Sequence, residues 1–350
     1  MGLFDRLIKD LKTGKKLQPN GHRLSDGSIR NYEIVRKNLW QFSNKTGIKL
    51  RIRELGGLTA RERLSQRNYW KRLYISFSDY LYDTKDCHDN YVGSQMKIIR
   101  AFLNYLKQDL FIDTGNYRAL LYIPKEEIPV IALSVEQLQF LIHSDEFHNA
   151  LPEHLKKTKD IFIIGCLTAL RFSDLMNLTT NNLKLTSSGY YLSVRSIKTK
   201  CTSSIPLPCC AIEILNKYAL RQKTLLPKQS LSNFGLNMKE IAEKAGWTHP
   251  IEKWREKRGV AKVLKLKKKH YRFCDLVSSH TMRKTAISTM VEMGVAEHIV
   301  RNISGHAPGS KEFYRYVSIS QAKKDEELDK LYLQLKNYKV AKPKYVMYTG

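Results

Sequence analysis

Acidic residues are scarce in this chain of 350 residues. Asp and Glu total 33 whereas Lys and Arg total 60, so the formal net charge is +27. A surplus of this size favours a polyanionic partner, either nucleic acid or an anionic membrane surface. Because 42% of the residues are hydrophobic, intrinsic disorder is not expected, and the length predicts two domains with ordinary cores.

The chain also has few long apolar runs and no paired cysteine motifs. The longest apolar run, residues 161–170, is about half of the roughly 20 residues that span a bilayer, so it indicates a buried helix. The N-terminus has no apolar region followed by a small-residue cleavage site. None of the six cysteines forms C-x-x-C or zinc-ligand spacing with His. We therefore expect a cytoplasmic protein with reduced thiols and no membrane contact.

Apolar periodicity divides the chain into segments. Residues 22–113 carry three stretches of helical periodicity and predict a small, basic helical domain. Residues 114–132 contain two Ile-Pro pairs and little periodicity, which indicates a linker. Residues 133–336 alternate helical patterns with a β-rich stretch and predict a second domain. Residues 1–21 are expected to be a basic tail, and residues 337–350 a loose C-terminal tail. The basic tail carries a short amphipathic stripe, for which we expect a local packing or DNA-arm role: Leu3, Phe4, Leu7, Ile8 and Leu11.

Two pairs of polar residues have spacings that suit phosphate chemistry. His280 and Arg283 are three residues apart, which places both on one face of a helix. A guanidinium binds phosphate oxygens in a bidentate manner, and an imidazole exchanges a proton near neutral pH. Arg171 ends the apolar run, where a charge needs a partner, and Asp174 can hold its guanidinium. A structural ion pair is the alternative interpretation of Arg171 and Asp174.

Further candidates follow along the second domain. Lys198 lies in the turn of a predicted hairpin, His306 follows a glycine, and Tyr314 and Tyr316 lie downstream on a basic segment. Taken singly, the lysine is a solvated charge and the tyrosines are packing residues. Together with the two arginines they can act on a phosphodiester. The arginines neutralise the developing charge, a tyrosine attacks phosphorus, and the lysine protonates the leaving 5′-oxygen. No acidic cluster has two-metal spacing, so neither a metal nor a cofactor is expected.

A dense basic run occupies residues 252–272. An ordinary solvated surface is one interpretation, but we expect the run to lie along DNA backbone and to raise affinity without reading sequence. The residues predicted to contact phosphates are Lys253, Arg255, Lys257, Arg258, Lys267, Lys268 and Lys269.

The segments that carry these residues resemble the tyrosine recombinase, or phage integrase, family. They occur in the family's order across roughly residues 130–336 and read ALRFSDLMNL, IKTKCTSSIPL, HTMRKTAIST, ISGHAP and FYRYVSIS. The helical domain resembles the core-binding domain of integrases from conjugative transposons and prophages. The resemblance implies a mostly α fold with a small β-sheet. A helical, SAM-like core-binding domain and an α+β catalytic domain would form a C-shaped clamp on DNA.

The resemblance also implies a role for each candidate residue. The implied catalytic residues, with one supporting acid last, are Arg171, Lys198, His280, Arg283, His306, Tyr316 and Asp174. Lys198 would be the general acid, with Lys200 as a weaker alternative. Tyr316 would be the nucleophile because its segment matches the family form F-x-K-Y-I-x-I-S, and Tyr314 is the alternative.

By resemblance the product is a 3′-phosphotyrosyl link, and strand exchange passes through a Holliday junction in a homotetramer on double-stranded DNA. The expected role is integration and excision of a mobile element in the bacterial or phage nucleoid. Accessory DNA-bending factors are possible partners, and the acidic helix AKKDEELDKLYLQL is expected to dock on a neighbouring catalytic domain. The alternatives are a type IB topoisomerase-like relaxing enzyme and a non-catalytic architectural or excision factor. Recombination between two short duplex sites would distinguish a recombinase from the relaxing enzyme. Formation of a covalent adduct with DNA would distinguish it from the non-catalytic factor.

Overall fold

The computed structural model describes residues 2–197, 201–219, 223–266, 269–306, 309–310, 313–317 and 321–334. The chain folds into two compact units. The first unit consists of Met1–Ile128 and Lys253–Leu264, and the second of Pro129–Glu252 and Lys265–Gly350. This division differs from the expected one, because a short piece of the expected catalytic domain folds with the first unit.

Four long helices form the first unit: α1 (Gly2–Thr13), α2 (Asp26–Thr46), α3 (Ala60–Asp79) and α4 (Asp89–Asp109). Ser25 caps α2, and Thr59 forms a capping box with Glu62 at the start of α3, which satisfies backbone donors that the first helical turn leaves free. The core is aromatic and includes Phe42, Trp70, Phe77 and Phe102.

The N-terminal helix belongs to this core. We expected residues 1–21 to be a basic tail with an apolar stripe that packs locally or serves a DNA-binding arm. The segment is not a tail, because α1 packs the stripe into the core with four buried residues, Phe4, Leu7, Ile8 and Leu11. The ring centroid of Phe4 lies 4.6 Å from that of Phe102. Burial of the stripe explains the difference, because four large apolar side chains on one helical face gain several kcal/mol when they leave water, at about 1.5–3 kcal/mol each.

The expected linker has neither helix nor strand, but it is not a free segment. Tyr117 and Leu121 are buried in the core of the first unit, and Glu126 is 3% exposed. The first unit continues to Ile128, so residues 114–128 pack with the helices that precede them.

The first unit is completed by an antiparallel hairpin of β5 (Lys253–Lys257) and β6 (Val260–Leu264). In the second unit, the helices are α5 (Val135–His143), α6 (Asp145–Ala150), α7 (Glu153–Thr168), α8 (Phe172–Leu175), α9 (Cys209–Ala219), α10 (Leu231–Lys244), α11 (Phe273–Leu276), α12 (Ser279–Glu292), α13 (Glu297–Ser304) and α14 (Gln321–Gln334).

The strands of the second unit form two small antiparallel sheets. The larger has the order β1–β2–β3, from Leu183–Thr186, Gly189–Arg195 and Thr202–Pro206. The smaller pairs β4 (Pro250–Ile251) with β7 (Tyr271–Arg272). The predicted mostly helical class with a small sheet is confirmed.

The apolar run forms the centre of the second unit as the C-terminal half of α7, where Ile161, Phe162 and Ile164 are fully buried. Helix α12 packs closely against α7. A Cβ on Gly165 would lie 2.8 Å from Cγ and 2.3 Å from Sδ of Met282, so only glycine permits this approach. Within the described part of the chain, no helix is both long and apolar enough to span a bilayer.

Candidate active site

Arg283 is the most deeply buried of the predicted site residues that the structure describes. It lies in α12 and is 2% exposed. Its Nη1 donates to the carbonyl oxygen of Ala169 at 2.5 Å, and its Nη2 donates to the carbonyl oxygen of Ser304 at 2.6 Å. These two carbonyls belong to the residues that end α7 and α13, so three helices fix the position of one guanidinium.

Arg171 reaches the same site from the loop after α7. The helix ends at Ala169 in a left-handed conformation (φ 55°), which turns the chain so that Arg171 precedes α8. We expected Asp174 to hold this guanidinium directly. Instead, Arg171 Nη1 donates to Ser196 Oγ at 3.1 Å, and Ser196 Oγ donates to Asp174 Oδ2 at 3.2 Å.

Asp174 therefore has a different contact from the predicted ion pair. Its Oδ1 accepts a hydrogen bond from the backbone N of Ile197 at 3.0 Å, and the carboxylate is 4% exposed. The acid thus holds the backbone of the segment that follows β2. Lys198 and Lys200 lie outside the described residues.

His306 is positioned by the end of α13. Gly305 adopts a left-handed conformation (φ 63°) and ends the helix, a conformation that glycine adopts without steric cost. His306 Nδ1 lies 2.8 Å from Ser304 Oγ, and His306 Nε2 lies 3.3 Å from Arg283 Nη2. The imidazole and the buried guanidinium are direct neighbours.

The two candidate tyrosines have different surroundings. The ring centroid of Tyr316 lies 5.2 Å from that of His306 and 5.4 Å from Arg283 Cζ. Tyr314 is 59% exposed, and its hydroxyl donates to the carboxylate of Glu297 at 3.1 Å. The Tyr316 backbone is held by Ser288, whose hydroxyl donates to the Tyr316 carbonyl oxygen at 3.1 Å. The fold brings Tyr316, and not Tyr314, beside Arg283.

Burial and mutual repulsion of the cations shift two pKa values in this cluster. Burial, with a contribution from Arg171, lowers the pKa of Arg283 to about 10. Burial also lowers the pKa of His306 to about 4, with further contributions from Arg283, Arg171 and Arg301. At neutral pH the cluster therefore combines cationic arginines with a neutral imidazole, an arrangement suited to binding an anion and accepting a proton.

His280 occupies the first turn of α12 and is exposed, one helical turn before Arg283. Short contacts join Arg171 to Asp174 through Ser196, and a second set joins Arg283, His306 and Tyr316. The hydrogen bond from Arg283 to the carbonyl oxygen of Ala169, two residues before Arg171, connects the two sets, and His280 lies on the adjoining turn. Within the part of the chain that the structure describes, no group of His, Cys, Asp and Glu side chains could hold a metal ion.

Sequence reasoning missed the residues that support this cluster. Ser196 bridges Arg171 to Asp174, and Ser304 contacts His306. Glu297 binds both Arg301 and the hydroxyl of Tyr314. Serine and glutamate at these positions look like ordinary surface or cap residues in the sequence. Only the i, i+4 spacing of Glu297 and Arg301 offered a signal, that of a helical ion pair.

The basic run 252–272 has mixed surroundings. Arg255, Lys257 and Arg258 form ion pairs with acids of the first unit. Lys269 is exposed, whereas Lys267 and Lys268 lie outside the described residues. DNA contact by these residues and by Lys253 stays a prediction.

Comparisons with known proteins connect this geometry to a family. A sequence model described as the phage integrase family matches residues 133–323 of the chain, which span α5–α13 and the candidate site. No curated protein sequence matches the chain significantly.

Solved structures with similar folds include three DNA complexes. The Tn1549 transposon integrase with circular intermediate DNA is 15% identical with a TM-score of 0.55, and the match covers 94% of this chain and 98% of that one. A λ integrase dimer bound to a COC′ core site is 14% identical with a TM-score of 0.56, covering 98% and 99%. XerH recombinase bound to palindromic difH substrate is 14% identical with a TM-score of 0.57, covering 93% and 84%.

Proposed function

The chain belongs to the phage integrase family and is a tyrosine-type site-specific recombinase, and we propose that it cleaves and rejoins duplex DNA through a 3′-phosphotyrosine at Tyr316. The observation that carries this proposal is the joint contact of Arg283 with His306 and Tyr316. A phosphate bound by this arginine lies within reach of both a nucleophile and a proton acceptor.

The arginines supply the electrostatic part of the reaction. Arg283 is held by two backbone carbonyls, so its guanidinium is oriented before the substrate arrives. Arg171 is held by a neutral serine hydroxyl, which leaves its charge available to the scissile phosphate. Prearranged cations stabilise the charge that develops on the nonbridging oxygens in the transition state.

His306 and Tyr316 supply the covalent step. Oη of Tyr316 attacks phosphorus, the bond from phosphorus to the 5′-oxygen breaks, and the phenolic proton moves to the neutral imidazole of His306. The arginines lower the pKa of His306, and a bound phosphate offsets their charge. Substrate binding therefore raises the basicity of His306 when the proton has to be accepted.

The leaving 5′-oxygen needs a proton, and we assign that role to Lys198. Asp174 supports this assignment because it holds the backbone of Ile197, the residue that immediately precedes Lys198. His280, one turn before Arg283, contributes a second contact to the phosphate. Rejoining reverses these steps with a 5′-hydroxyl as the nucleophile.

The biological substrate in this proposal is a pair of short duplex sites at the ends of a mobile element. The Tn1549 integrase was solved with circular intermediate DNA, which supports integration and excision as the role of this fold. We propose that exchange passes through a Holliday junction in a homotetramer, with α14 docking on a neighbouring protomer. Outside the catalytic site, the DNA backbone is contacted by Lys267, Lys268 and Lys269.

A nicked suicide substrate tests the nucleophile. Cleavage beside the nick releases a short DNA fragment that carries the 5′-hydroxyl. Because this fragment diffuses away, the covalent complex accumulates and is resolved on a denaturing gel. Tyr316→Phe should abolish the adduct, because the attacking oxygen is absent. Tyr314→Phe, the matched control, should retain adduct formation. Covalent complex in Tyr316→Phe would overturn the assignment.

A further inference from the structure

The β5–β6 hairpin carries a short basic tip on a strained turn. The register pairs Lys257 with Val260, so Arg258 and Gly259 form a two-residue turn. Their φ angles are 59° and 72°, as in type I′ turns, which favour Asn or Gly at the first position. An arginine in this conformation persists only where its surroundings hold it.

Asp89 provides that hold. Its Oδ1 accepts a hydrogen bond from the backbone N of Arg258, and its Oδ2 accepts one from the backbone N of Gly259, both at 2.8 Å. Asp89 is 2% exposed and begins α4. One buried carboxylate thus receives both amides of the turn.

A second buried acid holds the first strand of the hairpin. Glu126 accepts from Arg255 Nε at 2.9 Å and from Arg255 Nη2 at 2.6 Å, a bidentate pair. The backbone N of Glu256 also donates to Glu126, at 2.7 Å. Burial raises the pKa of Glu126, but these hydrogen bonds outweigh it and keep the pKa below its usual value. The carboxylate is therefore charged at neutral pH with a side chain that is 0% exposed.

The remaining cations of the tip also meet acids of the first unit. Arg258 Nη1 lies 2.7 Å from Asp79, its Nη2 lies 2.6 Å from Asp83, and its Cζ lies 4.9 Å from the centre of the Tyr82 ring. Lys257 Nζ lies 2.8 Å from Asp86. These acids lie at the end of α3, in the α3–α4 connection, at the start of α4 and in the segment after α4.

We propose that the hairpin is an intramolecular docking element and that Arg255, Lys257 and Arg258 bind acids of the first unit instead of DNA phosphates. The chain leaves the second unit at Glu252 and returns to it at Lys265, so the hairpin is an excursion of the chain that packs with the first unit. A DNA phosphate competes poorly with Glu126 for Arg255. If Arg255 left this pair, the Glu126 carboxylate would remain charged and buried without its cation.

Hydrogen exchange of the full chain without DNA tests the docking. Arg255→Gln and Glu126→Gln remove opposite sides of one pair, so each should accelerate exchange of the 253–264 amides on the order of tenfold. Lys262→Gln is the matched control, because it removes an exposed cation of the same hairpin and should leave exchange unchanged. Unchanged exchange in both the Arg255 and the Glu126 variants would overturn the docking role.

A milder variant keeps the test valid if loss of the buried pair unfolds the protein. Asp79→Asn combined with Asp83→Asn removes partners of Arg258 at a partly exposed position and leaves Glu126 and Asp89 intact. The amides of the turn should again exchange faster. Exchange at the wild-type rate in this folded double variant would count against the proposal.

The salt dependence of DNA affinity tests the second half of the proposal. Each lost phosphate contact reduces the slope of log K against log salt by about 0.9. Arg258→Gln should leave the slope unchanged, whereas Lys269→Gln provides the comparison for an exposed cation. A reduction of about 0.9 in Arg258→Gln would show that this arginine contacts DNA. Failure of the catalytic assignment would not affect the exchange results, which need neither DNA nor cleavage.

Discussion

At the scale of single residues, the candidate site depends on how each charge is held. Among the described residues, Arg283 is bound by carbonyl oxygens and not by a carboxylate ion pair, so its positive charge is not cancelled in place. Arg171 contacts Asp174 through Ser196. By contrast, Arg255 and Arg258 form direct ion pairs. The same residue type therefore serves substrate binding in one place and folding in another.

The pKa of His306 gives a prediction at this scale. Its folded value is about 4, below the ordinary value of 6.5, so the unfolded chain binds more protons between these pH values. The contribution of His306 to stability is then greatest above pH 6.5 and falls as the pH decreases toward 4. Urea unfolding of His306→Gln should show a smaller loss between pH 7.5 and pH 5 than the wild type. Equal losses would contradict the shifted pKa.

At the scale of elements, helix contacts set the geometry of the site. Helix α12 carries His280 and Arg283, and its approach to α7 brings Arg283 to the carbonyl of Ala169. The close approach occurs at Gly165, where a side chain would collide with Met282. Periodicity predicted both helices, but it carried no information on their separation, because that depends on which residues of the two helices meet.

Replacement of Gly165 tests this contact. Gly165→Ala should lower the free energy of unfolding by about 1–3 kcal/mol through overpacking, and adduct formation should decrease as Arg283 shifts. Gly235→Ala in α10 is the control, since a Cβ there meets no neighbour within 4 Å. Removal of a helical glycine at that open position should stabilise the protein by about 0.5–1 kcal/mol. Chemical denaturation measures the free energy of unfolding of both variants. Equal changes in the two variants would refute the close contact between α7 and α12 at Gly165.

At the scale of the whole molecule, the net charge of +27 divides into separate roles. Exposed cations favour DNA binding without sequence preference and are screened by salt. The ion pairs of the hairpin remove several cations from that set. Arg171 and Arg283 are expected to act on a single phosphate, so their effect on catalysis is large compared with their share of the charge.

Arg171→Ala separates these roles. Cleavage of the suicide substrate should fall by about 10²–10³ or more, because a preorganised cation at the transition state is lost. The salt slope of DNA binding should change by no more than about 0.9, the contribution of one phosphate contact. Adduct yield and filter binding at several salt concentrations measure the two quantities. Normal cleavage would mean that Arg171 contributes affinity alone.

The family and the mostly helical class were predictable from sequence, and both are confirmed. His280 and Arg283 share a helix, as their spacing predicted. Ser134 and Gln137 have capping-box spacing in the sequence, and the structure forms that capping box at the start of α5. A pattern of this kind is readable from sequence because it depends on neighbouring residues. The expected tail at residues 1–21 was wrong for α1, since the apolar stripe of that helix is buried in the first unit.

The sequence by itself determined the residue types of the site, their order and the helices that carry them, since these depend on local spacing. Only the tertiary structure decided which charges meet. It placed Tyr316 beside His306 and directed the hydroxyl of Tyr314 to Glu297. It also paired Arg255 with Glu126 across much of the chain. The physical reason is that desolvation and ion pairing depend on distance in space, which packing sets and local sequence patterns do not encode.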